Sequence, residues 1–187
     1  MLIVGAGISG IGGAYHLNEQ CPDKSFVIIE TQDGFGGTWR THTYPGIRSD
    51  SDLYTFGYRF KPWTGAPIAS ADKILEYMGE VIDENDLEKH IRYNHAIKSA
   101  TWSTQDRLWT LEVMRTDTET GDVEAVYFTG NFLWMCQGYY RHQEGYTPEW
   151  PGMEEFAGQV VHPQRWPDDL DYSDKEVVVI GSGATAA

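Results

Sequence analysis

The chain opens on a short apolar run followed at once by a glycine-spaced turn, and this feature constrains the fold more than any other. Residues 2–4 have the character of a buried strand, residues 5–10 have the spacing GxGxxG, and residues 11–20 carry apolar side chains at helical spacing. Residues 25–30 predict a second buried strand. A strand, glycine turn, helix and strand in this order predict a βαβ unit, whose two strands are parallel.

The glycine turn has the spacing of a dinucleotide-binding turn. Gly5 permits the tight turn, Gly7 lets the backbone approach a pyrophosphate, and Gly10 lets the helix pack closely on the strand; Ser9 lies within the same turn. Glu30 ends the next strand, about 20 residues later, where an acid binds a ribose hydroxyl. Two alternatives remain: a βαβ unit that binds nothing, and a Glu30 that is merely a solvated acid. The motif alone does not choose between FAD and NAD.

The remaining chain predicts further elements that extend this unit. Residues 33–67 are rich in glycine and aromatics and have no clear period, which suggests a functional segment. The predicted elements after it are an amphipathic helix at 71–87, antiparallel strands near 96–103, 108–115 and 123–129, and buried strands at 132–136 and 176–180. The fold class is therefore α/β: a Rossmann-like domain with a parallel sheet and an added antiparallel β-meander, followed by the first strand of a second Rossmann-like domain.

Two stretches resemble the class B flavoprotein monooxygenases. The run Gly36-Gly37-Thr38-Trp39 is followed by Tyr44-Pro45-Gly46-Ile47-Arg48-Ser49-Asp50, as in that family, and the likeness is closest to the branch of the ethionamide-activating monooxygenase. The pattern Phe156-x-Gly158-x-x-x-His162-x-x-x-Trp166-Pro167 matches the Baeyer–Villiger fingerprint. Flavin-containing monooxygenases that oxidise nitrogen or sulfur carry Tyr or Phe where Trp166 stands, so Trp166 favours the Baeyer–Villiger side.

The resemblance implies two cofactors, FAD and NADPH, and assigns residues to each. Residues implied at FAD are Gly5, Gly7, Ser9, Gly10, Glu30, Gly37, Thr38, Trp39, Arg40, Thr41, Asp50 and Ile97; residues implied at NADP are Arg48, Ser49, Gly181, Ser182, Gly183, Ala184, Thr185 and Ala186. Asp50 would support a catalytic arginine supplied by sequence beyond Ala187. The implied domains are 1–138 for FAD, 139–174 for a linker carrying the fingerprint, and 175–187 for the start of the NADP-binding domain.

Some of these residues also have plain structural interpretations. Asp50 is of a type that caps a helix start with Ser49 or Ser51, and Trp39 is of a type that simply packs. His162 has no neighbours at metal-ligand spacing, and no metal site is expected. We favour a hydrogen-bonded structural histidine over a catalytic one at position 162.

The function implied by the resemblance is oxygenation. An FAD- and NADPH-dependent monooxygenase would insert one atom of O2 into a ketone, giving an ester or lactone, or oxidise sulfur, through a flavin peroxide. Alternatives are an N- or S-oxidising monooxygenase, a disulfide reductase, and an FAD-binding remnant without turnover. Because Cys21 and Cys136 form no CxxC pair, the reductase lacks its redox centre and a reducing, cytoplasmic compartment is favoured.

Charge and chain ends add further expectations. The net charge of -14 opposes binding to nucleic acid or to an anionic membrane surface, and no apolar run is long enough to span a bilayer. The first strand begins immediately after Met1, and the chain stops at Ala187 where a helix is expected to start. We therefore expect an N-terminal piece of a longer protein, inactive by itself.

Overall fold

A computed structural model describes residues 1–186, and its first sheet has four parallel strands. These strands are β1 (Leu2–Val4), β2 (Val27–Ile29), β3 (Ile91–Arg92) and β7 (Leu133–Met135), in the spatial order β3-β2-β1-β7. Strand β1 lies between β2 and β7, with Ile3 opposite Ile28 on one side and Trp134 on the other. The prediction of a Rossmann-like α/β fold is confirmed.

Helix α1 (Ile8–Gln20) connects β1 to β2, as the βαβ pattern predicts. It begins at Ile8, three residues earlier than the apolar spacing indicated, so treating all of residues 5–10 as a turn was wrong. The reason is that the carbonyl of Gly7 already accepts the N–H of Ile11, at 3.1 Å, and the non-helical turn is confined to residues 5–7. Ile11, Ala14 and Leu17 face the core, as expected.

Two one-turn helices lie in the aperiodic stretch after β2, and a longer helix follows them. These are α2 (Thr38–Thr41), α3 (Leu53–Phe56) and α4 (Ala71–Glu84). Helix α4 confirms the predicted amphipathic helix, and its buried face packs with α1 and the parallel sheet in the main core. It ends at Glu84 rather than at the predicted residue 87. Asn85 caps this end, because its side-chain amide donates to the carbonyl of Val81 at 2.8 Å.

The second sheet is the predicted antiparallel meander. It consists of β4 (His95–Ser103), β5 (Leu108–Thr116) and β6 (Val123–Gly130). Leu111 and Val113 of β5 are fully buried and form a second core with Leu2 and Ile29 of the parallel sheet. Residues 91–92, just before the meander, join the parallel sheet as β3.

Residues 139–186 contain short 3-10 turns and no strand. The strand predicted at 176–180 is therefore wrong: Val177, Val178, Val179 and Ile180 are 62–81% exposed. An apolar run becomes a buried strand only when neighbouring strands satisfy its backbone groups, and nothing in residues 1–186 pairs with this segment. Among residues 1–186, no helix is long and apolar enough to cross a membrane.

Candidate dinucleotide-binding site

The turn between β1 and α1 tolerates only glycine at two positions. Gly5 has a φ of +99°, and a Cβ placed on it would lie 2.7 Å from the carbonyl oxygen of Cys136. A Cβ on Gly10 would lie 1.9 Å from the carbonyl oxygen of Gly5. The assignments of a tight turn to Gly5 and of close helix packing to Gly10 therefore agree with the geometry.

The N-terminus of α1 has no side-chain cap. Gly7 occupies the N-cap position without a capping hydrogen bond, and no acidic residue lies in the first turn. The first N–H groups of the helix are consequently left for another acceptor, and the positive end of the helix dipole lies at the same place. Such an end suits a phosphate group. Ser9 is exposed beside it, within the first turn.

Glu30 connects the end of β2 to the turn. It is 6% exposed, its Oε2 accepts the backbone N–H of Ala6 at 2.7 Å, and its Oε1 accepts the N–H of Gln32 at 2.8 Å. The alternative of a solvated strand-end acid is therefore excluded. Each carboxylate oxygen retains a second lone pair, so a ribose hydroxyl could still donate to it.

The Gly36-Gly37 pair lies against the glycine turn. The N–H of Gly36 donates to the carbonyl of Ala6 at 3.0 Å, and a Cβ on Gly37 would lie 3.3 Å from the Cα of Gly7. Gly37 has a φ of +55°. The structure thus brings together two glycine segments that are about 30 residues apart in sequence.

Helix α2 carries four residues that the resemblance assigned to FAD, directly beyond this contact. Thr41 donates to the carbonyl of Gly37 at 2.9 Å, and Trp39 packs edge-on against Phe56 at 5.9 Å between ring centroids. Arg40 pairs with Asp33 at 2.8 Å, and the hydrogen bond from Arg40 holds the pKa of the Asp33 carboxyl below its usual value. The half-buried Thr38 begins the helix.

The residues of the Arg48-Ser49-Asp50 segment separate into different environments. Ser49 is buried, and its hydroxyl accepts the N–H of Ala69 at 3.3 Å, which is a structural contact. Arg48 and Asp50 are exposed. Asp50 caps no helix; the cap of α3 is Asp52, whose carboxylate accepts the N–H of Thr55 at 2.9 Å. The alternative assignment of Asp50 as a helix cap is therefore wrong.

Ile97 lies outside this cluster, on the meander. It is half-buried in β4, opposite Val113, and the register of β4 shifts between Ile97 and Ser99. A bulge of this kind re-aims the strand and often lies at the rim of a site.

The fingerprint residues lie in the irregular segment after the meander. Nδ1 of His162 accepts the N–H of Gln164 at 3.1 Å and so caps a 3-10 turn over Pro163–Arg165. His162 is therefore hydrogen-bonded within the segment that carries the fingerprint. Trp166 packs edge-on against Tyr172, at 5.8 Å, with the half-buried Pro167 beside it, whereas Phe156 is exposed and folds back over Gly158.

The side chain of Gln164 links the fingerprint to the segment after β7. Its Nε2 donates to the carbonyls of Arg141 at 2.9 Å and His142 at 3.0 Å. Nε2 of His142 lies 3.2 Å from the carbonyl of Gln137, next to the end of β7. These contacts form one hydrogen-bonded path from the fingerprint to the edge of the parallel sheet.

The second glycine turn is not assembled into a comparable site. Residues Gly181, Ser182 and Gly183 are exposed, and Ala184–Ala186 form only one 3-10 turn. Ala187, the last residue of the predicted NADP-binding segment, lies outside the described residues. The cysteines Cys21 and Cys136 are both free and half-buried.

Sequence reasoning did not single out Tyr58, which contacts the first residue of α1, or Tyr77, which contacts Tyr58. Tyr58 donates its hydroxyl to the carbonyl of Ile8 in α1, at 2.7 Å. The hydroxyl of Tyr77 in turn accepts the backbone N–H of Tyr58, at 2.7 Å. Tyr58 lies in the aperiodic stretch, where no spacing signal marks it.

Comparison with known proteins gives two family matches. Residues 3–64 match the NAD(P)-binding Rossmann-like domain, and residues 66–187 match the family described as flavin-binding monooxygenase-like. The FAD-containing monooxygenase EthA of Mycolicibacterium smegmatis is 52% identical over the whole chain, which covers 37% of that relative's length. The chain therefore spans little more than a third of the curated relatives it matches.

Solved structures also resemble the chain. The complex of OTEMO with FAD and NADP matches with a TM-score of 0.77 and 32% identity over 99% of the chain and 34% of that protein. The cyclohexanone monooxygenase of Rhodococcus sp. Phi1 bound to NADP+ matches with a TM-score of 0.75 and 27% identity over the same shares of the two chains.

Proposed function

Because the chain belongs to the flavin-binding monooxygenase-like family, we propose that it forms the FAD-binding part of an NADPH-dependent monooxygenase. In this proposal residues 1–138 bind FAD, residues 139–174 are the linker and residues from 175 onward begin the NADP-binding domain. The single observation that carries the proposal is the uncapped N-terminus of α1, above a turn that admits no Cβ at Gly5 or Gly10.

The residues of the turn fit the ADP half of a dinucleotide. The free N–H groups of α1 would hold the pyrophosphate, and Glu30 would accept a ribose hydroxyl with the lone pairs that Ala6 and Gln32 leave unused. Gly37 lies close enough to Gly7 to close the same cradle from the other side.

The segment from Thr38 to Asp50 would face the flavin end. The flavin supplies the redox chemistry when bound, since reduced flavins react with O2. Trp39, packed on Phe56, would exclude water from one side. Asp50 would orient an arginine from later sequence, because a carboxylate paired with a guanidinium holds it in a fixed geometry. Arg48 is exposed and free to reach an NADP phosphate, whereas the buried Ser49 would act through its backbone position.

The substrate class we favour is a ketone, converted to an ester or lactone by insertion of one oxygen atom from O2. Trp166 of the fingerprint and the similarity to a cyclohexanone monooxygenase support this choice over a sulfur or nitrogen centre. The free cysteines favour a reducing, cytoplasmic setting.

The test is carried out with the full-length natural polypeptide that contains this chain. It is purified without denaturant, and its absorption spectrum is recorded before and after addition of NADPH and then air. We expect a flavin spectrum that is bleached by NADPH and restored by air, together with lactone formation from cyclohexanone. A colourless protein that takes up no added FAD would overturn the cofactor assignment; conversion of a thioether alone would replace the ketone as substrate.

A further inference from the structure

The first turn of α1 presents a structural problem of its own. A helix end that leaves its N–H groups open for a phosphate cannot also cap them with a side chain, and a helix without its cap is less stable. The first two turns of α1 are also rich in glycine, which weakens a helix. Within or next to them lie Gly7, Gly10, Gly12 and Gly13. Something other than a cap must therefore hold this turn in place.

Tyr58 makes that contact from the side of the helix. Its hydroxyl donates to the carbonyl of Ile8, the first residue of α1, at 2.7 Å. Its ring lies across Gly12, where an added Cβ would be 2.9 Å from the ring edge. Burial raises the pKa of Tyr58 far above its usual value, so the hydroxyl remains a neutral donor at all physiological pH values.

Tyr58 is itself held by the neighbouring helix. Its backbone N–H donates to the hydroxyl of Tyr77 at 2.7 Å, and that hydroxyl donates to the carbonyl of Lys61 at 2.5 Å. The Tyr58 ring stacks with Phe60 at 4.8 Å, and Phe60 stacks with Tyr15 of α1 at 3.5 Å. Tyr77 is buried in α4, so the contact ties the first turn of α1 to the core.

We propose that Tyr58 is a positioning residue for the bound dinucleotide, which anchors the first turn of α1 in place of an N-cap and so leaves the N–H groups free for the pyrophosphate. This inference rests on the proposed function, because it takes the ligand of that turn to be FAD. Without the anchor, the first turn frays, and FAD binds only the fraction of molecules in which the turn is formed.

The anchor is tested first without any ligand, by amide hydrogen exchange of the FAD-free full-length polypeptide that contains this chain and of its Tyr58→Phe variant. The amide of Gly12 bonds the carbonyl of Ile8 in the helix ladder, whereas that of Leu17 lies further along α1. We expect exchange at Gly12 to quicken about three- to tenfold, with little change at Leu17. Equal acceleration along the whole helix, or none, would overturn the anchor, since a merely structural loss affects both positions.

The link to the dinucleotide is tested by titration with FAD of the same full-length polypeptide and its variant, after removal of bound FAD. Tyr58→Phe should raise the FAD dissociation constant about three- to tenfold. The matched control is Tyr54→Phe, which removes a hydroxyl bonded to the carbonyl of Gly65 at 2.8 Å and should change neither quantity. Unchanged FAD affinity alongside faster exchange at Gly12 would overturn the positioning role. If the unaltered full-length polypeptide bound no FAD, the proposed function would fail, while the exchange data would still decide whether Tyr58 anchors the turn.

Discussion

The carboxylate of Glu30 accepts the backbone N–H of Ala6 at 2.7 Å, so the end of β2 is joined to the turn that follows β1. Its other oxygen accepts the N–H of Gln32. A glutamine at position 30 has only one acceptor oxygen for these two donors, which leaves one of the N–H groups unpaired. We therefore expect Glu30→Gln to lower the free energy of unfolding by about 1–3 kcal/mol, measured by urea denaturation.

The control for this prediction is Glu19→Gln, which makes the same change on the exposed face of α1. Surface changes of this kind alter stability by about 0.5 kcal/mol at most. If the two variants unfolded at the same urea concentration, the contact with Ala6 would contribute nothing.

Gly10→Ala tests the close approach of α1 to β1. The added Cβ would collide with the carbonyl oxygen of Gly5, a backbone atom that cannot move without displacing the turn. We expect the free energy of unfolding to fall by at least about 2 kcal/mol, and FAD binding to be lost. Gly183→Ala is the comparison, because a Cβ there meets no atom within 4 Å among the described residues. Equal thermal midpoints for the two variants would contradict the packing account.

Gln164→Glu tests the link between the fingerprint and the segment after β7. The glutamate keeps the shape but loses both N–H donors, and its charge repels the carbonyl oxygens of Arg141 and His142. We expect trypsin to cleave after Arg141 about five- to tenfold faster. The cleavage rate is measured by mass spectrometry of the released peptides. Gln159→Glu, at an exposed position of the same segment, should leave the rate unchanged; a shared increase would assign the effect to charge alone.

His90 makes stability depend on pH. Its ring stacks on Phe26 at 4.2 Å, and burial, aided by the positive charge of Lys89, lowers its pKa from the ordinary 6.5. Below pH 6.5 the unfolded chain therefore takes up this proton more readily than the folded one, and stability falls as the pH drops. We expect the urea midpoint to decrease between pH 7.5 and 5.5, with a smaller decrease in His90→Gln. Parallel decreases would show that other groups cause it.

The elements that sequence predicts well here are those whose signals are local. The strand and helix within residues 2–20 and the three meander strands each carry their own periodicity, and all five appear within a few residues of their expected bounds. The spacing also singles out Glu30 as a candidate site residue, but it does not predict the two backbone contacts of its carboxylate. Local patterns succeed because each element is specified by its own side chains.

The failures share a different physical cause. The contact of Tyr58 with Ile8 joins residues 50 positions apart and has no periodic trace in the sequence. The apolar run from Val177 to Ile180 has the composition of a buried strand, but composition does not supply the neighbouring strands that would bury it. Asp50 and Asp52 are equally good caps by residue type, and only the backbone shows that Asp52 is used.

The position of β1 between β2 and β7 has a consequence for synthesis on the ribosome. Its first neighbour, β2, emerges early, but its second, beginning at Leu133, follows about 100 residues later. At roughly 5–20 residues per second, one edge of the nascent βαβ unit stays open for about 5–20 s. During that interval the edge is a template for pairing with other chains, so chaperone demand should be greatest before the meander has been translated.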